Sequence, residues 1–367
     1  MSATLFGAGQ AAQAQTYVYV SNAADGAITS YALDRTAGTL EPLKTTAAGD
    51  NVMPLAISPD KQHLYASLRS APYRILSYRI DRETGKLTQQ GSGALPASMP
   101  HIATDQSGAY LFGASYSDNL VSVSPIDEYG VVQNAQQTLE TGRNAHAIHA
   151  SPDNRYAFAT SLGDDRLSQL RFDADSGELS SNDPGVLKTQ NATGPRHFVF
   201  SPNGRFVYLL GEFSGAVTTY AYNADTGTLT HIATEQGIPA SLNLARGAAR
   251  ETIDESDKTP RIWAADLHIT PDGRYVYASE RTSSVITTFE ADPETGELTY
   301  RHHQTVEKQP RGFQIDDSGR YMVVAGQLDD RVGLYRIDPE SGEFTRIDDA
   351  PTGRDANWVE IVSFDTP

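Results

Sequence analysis

The sequence predicts an all-β chain folded as a seven-bladed β-propeller, with four antiparallel strands per blade. Three observations predict it. A strand–turn–strand motif recurs as "SPDKQHLYAS" from Ser58, "TDQSGAYLFGAS" from Thr104, "SPDNRYAFAT" from Ser151, "SPNGRFVYLL" from Ser201, "TPDGRYVYAS" from Thr270 and "DDSGRYMVVAG" from Asp316. A second motif, Asp-x-x-x-Gly or a near variant, places glycines at 38, 85, 130, 177, 227, 296 and 342, steps of 47, 45, 47, 50, 69 and 46 residues. The two chain ends read as complementary parts of one blade.

Each period reads as an apolar strand a, a Pro-Asp-Gly turn, strand b, a polar loop, strand c, the Asp/Gly turn and strand d. Four short strands in roughly 40–50 residues is the sequence signature of a propeller blade. Seven copies of the second motif give seven blades. The first motif has six because the N-terminus starts at a strand b, "TYVYVSN" from Thr16, while the C-terminus supplies a lone strand a, "NWVEIVSF" from Asn357. Pairing of those ends closes the ring and removes an open edge. A solenoid would instead need caps and gives no reason for complementary half-blades. The one long step holds an insertion, residues 237–263, between strand d of one blade and strand a of the next.

Composition narrows the partners. A net charge of −17 argues against nucleic acid or an anionic membrane surface, though a local arginine cluster can still invert the field inside a cleft. No apolar run approaches the roughly 20 residues that cross a bilayer. With no cysteine there are no disulfides, thiolate nucleophiles or cysteine metal sites. Residues 1–14, "MSATLFGAGQAAQA", form a tail ahead of the propeller domain at 15–367. As a signal-peptide remnant it would place the protein in the periplasm; otherwise the cytoplasm is expected.

Alternating strand direction sorts the loops by end. The a–b and c–d turns share one face; the d–a and b–c loops share the other. Aligned on the first motif, one position at the start of strand a reads Met53, Met99, His146, Arg196, Ala265 and Arg311, and the next reads Pro54, Pro100, Ala147, His197, Asp266 and Gly312. The b–c loops add Arg69, Glu212, Arg281 and Gln327 to the same mouth, and the 237–263 insertion could cover it as a lid. His101 lies a little deeper, and His149 and His268 deeper still, as expected core histidines. His146 and His149, three apart on a strand, are expected on opposite faces and so unable to share a metal. No nucleophile elbow, phosphate loop, dinucleotide glycine run or cofactor motif is present. Arginines, histidines and one carboxylate suit proton transfer beside an anionic, oxygen-rich substrate.

"GPRHFVFSPNGRFVYLLGE", "RIWAADLHITPDGRYVYASERTSSVITTFE" and "QPRGFQIDDSGRYMVVAGQ" make the chain, from residue 16 to about 365, resemble the bacterial seven-bladed propeller lactonases of the 6-phosphogluconolactonase type. Fungal carboxymuconate cyclases are similar relatives. The resemblance implies metal-free hydrolysis of a sugar-acid lactone, phosphorylated or not, at the channel mouth. It implies catalytic roles for His146, Arg196 and Glu212. Arg196 would stabilise the oxyanion, and Glu212 or His146 would activate water. Arg69, His101, His197, Asp266, Arg281, Arg311 and Gln327 are expected to meet the substrate. A muconate-type lactonising enzyme and a non-catalytic binding propeller stand as the alternatives.

Overall fold

The computed structural model describes residues 15–364, so the 14-residue tail lies outside the described residues. They form seven four-stranded antiparallel sheets. Blade 1 is built from both ends: Ala356–Phe364 is its strand a and Gln15–Asn22, Ala27–Asp34 and Thr39–Ala47 are its strands b, c and d. Pairing runs from Gln15 opposite Phe364 to Val20 opposite Val359, so the ring closes as the complementary ends predict. The other strands a are Val52–Ile57, His101–Thr104, Ala145–Ala150, Pro195–Phe200, Ala264–Ile269 and Pro310–Ile315, in blades 2 to 7. No helix among the described residues is long and apolar enough to cross a membrane.

The core lies between blades. Successive side chains of a strand point to opposite faces, so an inner strand must be apolar on both. Tyr17 and Tyr19 of blade 1 pack into the joint with blade 2, whereas Val18 and Val20 pack into the joint with blade 7. The described residues form one such apolar cluster in each of the seven joints.

The Asp/Gly turns latch these joints from outside. Asp173 Oδ1 accepts the backbone N–H groups of Asp175 and Ser176 at 2.9 and 3.2 Å, and Gly177 follows at φ +75°. Left-handed backbone is natural for glycine, and here the missing side chain matters as well. A Cβ on Gly177 would overlap the ring of Tyr110, and one on Gly227 would overlap Tyr156, in each case from the preceding blade. Each tyrosine hydroxyl donates to a carbonyl of the turn it covers, Tyr110 to Asp175 and Tyr156 to Asp225, both at 3.0 Å.

Candidate active site

In six of the seven blades strand a carries one residue more than strand b opposite it, each time near the mouth. In blade 5, Pro195 pairs with Gly211 and Phe198 with Leu209, which leaves Arg196 and His197 facing Leu210 alone. The same offset releases Met53 and Pro54, His146 and Ala147, Ala265 and Asp266, Arg311, and Asn357 in blades 2, 4, 6, 7 and 1. In blade 3, strand a starts only at His101. A bulge of two residues against one re-aims side chains, and this is why a buried strand can begin Arg-His. It also overturns the alternation expected of His146 and His149. His146 lines the mouth cavity, and the His149 ring lies 4.6 Å from His101 in the channel below. Among the described residues no group of three or more side chains is arranged to hold a metal ion.

The mouth encloses a cavity of about 240 Å³ lined by Arg69, Pro100, Tyr116, His146, Glu212, Arg250, Trp263, Arg281 and Arg311. It lies below the about 300–1,000 Å³ of drug-sized ligand pockets and suits a molecule of monosaccharide size. Glu212, the first residue past strand b of blade 5, anchors the wall. Its Oε2 accepts Arg196 Nε at 2.7 Å and Arg281 Nη2 at 2.9 Å; Oε1 accepts nothing from the described residues. Arg281 also donates from Nε to Trp263 O at 2.9 Å and from Nη2 to Ala264 O at 3.0 Å. Its guanidinium lies 3.7 Å from the Trp263 ring centre, and that of Arg250 lies 3.5 Å from the same point. Two cations so near one centre must take opposite ring faces, a sandwich favoured by the electron-rich indole. Burial brings Arg281 down to about 9 against the pull of Glu212.

Arg196 does not line this cavity. It is 1% exposed, donates to Glu212 and to Ala265 O, and braces the carboxylate from behind. Arg311 occupies the place foreseen for it. Its guanidinium has no hydrogen-bond partner among the described residues, and its Nε is buried. Burial and the neighbouring Arg196, Arg281 and Arg69 push it well below the usual arginine range. Arg69 donates to Ser98 Oγ at 3.0 Å and Met53 Sδ at 3.2 Å. The cavity thus holds more positive than negative charge and an arginine in need of an anion.

Three residues expected to meet the substrate sit elsewhere in the channel. His101, His197 and Asp266 line a second cavity of about 320 Å³, together with His149, His268, Trp358 and Glu360. Asp266 Oδ1 lies 2.8 Å from His197 Nδ1, and Oδ2 lies 3.2 Å from His268 Nε2. Burial alone would raise the Asp266 carboxyl, but His268 and His197 hold it well below the usual range. His149 and His268, read as core residues, face this cavity instead. Gln327 is remote from both, bonded to Asp355 Oδ1 at 2.7 Å beside Lys308 and Arg354. The loop points away because Gln327 is held between Gln309 and Asp355.

Sequence reasoning did not single out Tyr116, Arg250, Trp263 or Glu360. The lid expectation was the available signal for two of them. The 237–263 segment does wrap the mouth, with Arg250 on Trp263 and Glu251 Oε2 accepting from Tyr116 at 3.3 Å. Glu360 stands two residues after Trp358 on a strand, hence on the same face.

The profile described as "Lactonase, 7-bladed beta-propeller" matches residues 16–361. A 6-phosphogluconolactonase of Pectobacterium carotovorum subsp. carotovorum is 40% identical over 281 residues, 77% of this chain and 79% of that protein. One from Serratia proteamaculans is 37% identical over 327 residues, 89% and 93% of the two chains. The solved Pseudomonas aeruginosa periplasmic gluconolactonase superposes with a TM-score of 0.82 at 26% identity, covering 96% of this chain and 100% of that one. The match runs through every blade, including both closing ends, and the chain belongs to the seven-bladed β-propeller lactonase family.

Proposed function

We propose that the protein hydrolyses the lactone of a sugar acid in the arginine-lined cavity at the channel mouth. The observation that carries this reading is Arg311, an unpartnered guanidinium facing a cavity of monosaccharide size beside a tethered carboxylate and a histidine. In the reaction the lactone carbonyl oxygen seats against Arg311. Negative charge develops there as water adds, and a guanidinium preset in a partly dry site stabilises it far more than water would. Arg196, the oxyanion partner first expected, has its Nε and one terminal nitrogen committed to Glu212 and Ala265 O, so the proposed role passes to Arg311. Two groups can take the proton of the attacking water, His146 and Glu212 Oε1. The ring oxygen receives it back as the ring opens. Arg69, Arg250 and Arg281 hold hydroxyl, carboxylate or phosphate oxygens of the rest of the substrate.

The test is hydrolysis of δ-gluconolactone and its 6-phosphate at slightly acidic pH, by wild type and by Arg311→Ala. Turnover by wild type that collapses in the variant is expected, and the faster substrate defines the far end of the site. Wild-type protein that opens neither lactone overturns the proposal, and ring closure of an unsaturated diacid would then place it with the muconate-type enzymes.

A further inference from the structure

Three consecutive blades each turn one bulge residue toward the next. His146 comes from blade 4, His197 from blade 5 and Asp266 from blade 6. We infer that Asp266, acting through His197, fixes the tautomer of His146 and makes His146 Nε2 the base that activates the attacking water. The inference rests on the lactone-hydrolase reading of the mouth cavity and settles which of its two proton acceptors works.

Asp266 accepts from the backbone N–H groups of Leu267 at 3.0 Å and Phe313 at 3.2 Å, besides facing His197 Nδ1 at 2.8 Å and His268 Nε2 at 3.2 Å. So surrounded, it has no proton to offer, and His197 must bear its hydrogen on Nδ1. His197 Nε2 is then a bare lone pair, and it is buried without a partner. The His146 ring lies 5.1 Å from the His197 ring, and its Nδ1 is likewise buried and unpartnered. A hydrogen on His146 Nδ1 would supply the donor that the His197 lone pair lacks, once the two neighbouring rings turn toward each other. Leaving both orphaned would cost each its desolvation. His146 Nε2 is thereby left unprotonated in the same cavity as Glu212 and Arg311.

The relay also answers an electrostatic problem. Burial, together with Arg196, His197, Arg311 and His101, holds His146 well below the ordinary histidine range, so an imidazolium there is disfavoured. As the water gives its proton to Nε2, the Nδ1 proton moves to His197 Nε2 and the His197 Nδ1 proton moves toward Asp266 Oδ1. Positive charge ends on the hydrogen-bonded His197–Asp266 pair, where the carboxylate counters part of the pull that burial, Arg196 and Arg311 exert on His197. The new C–O bond forms from the water oxygen, and the carbonyl electron pair moves onto the oxygen facing Arg311. When the ring C–O bond breaks, the departing oxygen takes one proton back from Nε2. Water is added across the ester, and no other reactant is consumed.

The tautomers can be read directly in wild-type protein. Long-range ¹H–¹⁵N spectra of the imidazoles should show Nδ1–H for both His146 and His197. A proton on Nε2 of His146 overturns the inference, whatever the variants do. In kinetics, Asp266→Asn and His197→Gln should each lower kcat about 100-fold, the scale of lost general-base catalysis, with KM within about twofold. Added imidazole should restore turnover to His146→Ala, a response that a purely structural role would not give. Active wild type with unchanged kcat in His197→Gln sinks the relay alone, whereas wild type that hydrolyses no lactone sinks the functional reading beneath it.

Discussion

Arg196 Nε meets Glu212 Oε2 at 2.7 Å across the bulge of blade 5, with side chains 1% and 9% exposed. The carboxylate compensates two buried guanidinium groups at once, since Arg281 reaches the same oxygen. Removing it leaves both cations without a counter-charge. Glu212→Ala should therefore destabilise the fold by about 3–5 kcal/mol, the range for breaking a buried pair. Urea unfolding measures this, and a loss under about 1 kcal/mol would show that the wall relaxes and admits water.

Arg311 should behave in the opposite way. Its Nε is buried without a protein partner, so Arg311→Ala removes a liability from the folded state. The unfolding midpoint is expected to hold or rise, while kcat/KM for the lactone falls about 100- to 1,000-fold, as for loss of one oxyanion donor. A variant both inactive and unstable would assign Arg311 to the scaffold.

The same arginine predicts a response to anions. Inorganic phosphate binding the folded state alone raises stability in proportion to ln(1 + [L]/Kd). Thermal unfolding of wild type should shift upward with phosphate and Arg311→Ala should not, at constant ionic strength. Equal shifts in both would locate the anion elsewhere.

Two of the channel histidines, His149 and His197, weigh against stability in acid. Burial lowers His149 from the ordinary 6.5 to about 4 and His197 to about 3. Below pH 6.5 the unfolded imidazoles bind protons that the folded ones refuse, so the unfolded state gains and stability falls as pH drops. For His149 the window from 6.5 to about 4 corresponds to about 3 kcal/mol. His149→Gln should flatten the fall of stability over that window, as read by denaturant midpoints from pH 7 to 4.5. A parallel fall in the two proteins would show that His149 does not contribute.

Two glycines at nearly the same φ separate backbone strain from overlap. A Cβ on Gly204 at +68° would meet Pro152 only at an ordinary contact distance of 3.7 Å, whereas a side chain on Gly227 at +67° would overlap Tyr156. Gly204→Ala should cost about 1–2 kcal/mol, the left-handed penalty alone. Gly227→Ala should cost clearly more, because a tyrosine must also leave its joint. Equal costs would show that the latch yields freely.

The architecture was legible because its markers act locally. The turn ending in glycine at 177 makes its Asp173 cap and its positive φ within its own residues, so the motif survives in the sequence and counts the blades. Arg196, Glu212, His146 and Arg311 could be placed at one end by alignment alone. What alignment could not convey was depth. The extra residue on strand a is invisible to period-two reasoning, so His197 and Asp266 were assigned to the mouth although they turn down the channel. Gln327 was misplaced for a different reason: its orientation depends on Asp355, a contact between distant segments. Arg250 and Trp263 lie in a loop with no counterpart in other blades, which left no register to compare.

The recurring bulge has a consequence for how such a protein can change. Because the extra residue lies outside the regular pairing of strand a with strand b, its identity is largely uncoupled from blade packing. Met53, His146, Arg196, Ala265, Arg311 and Asn357 are therefore six settings on one dial, of which His146 and Arg311 line the mouth cavity directly and Arg196 acts on it through Glu212. Ala265 carries neither charge nor polar group in this chain, and it is the blank setting at which new specificity can be written while the strand pairing stays as it is.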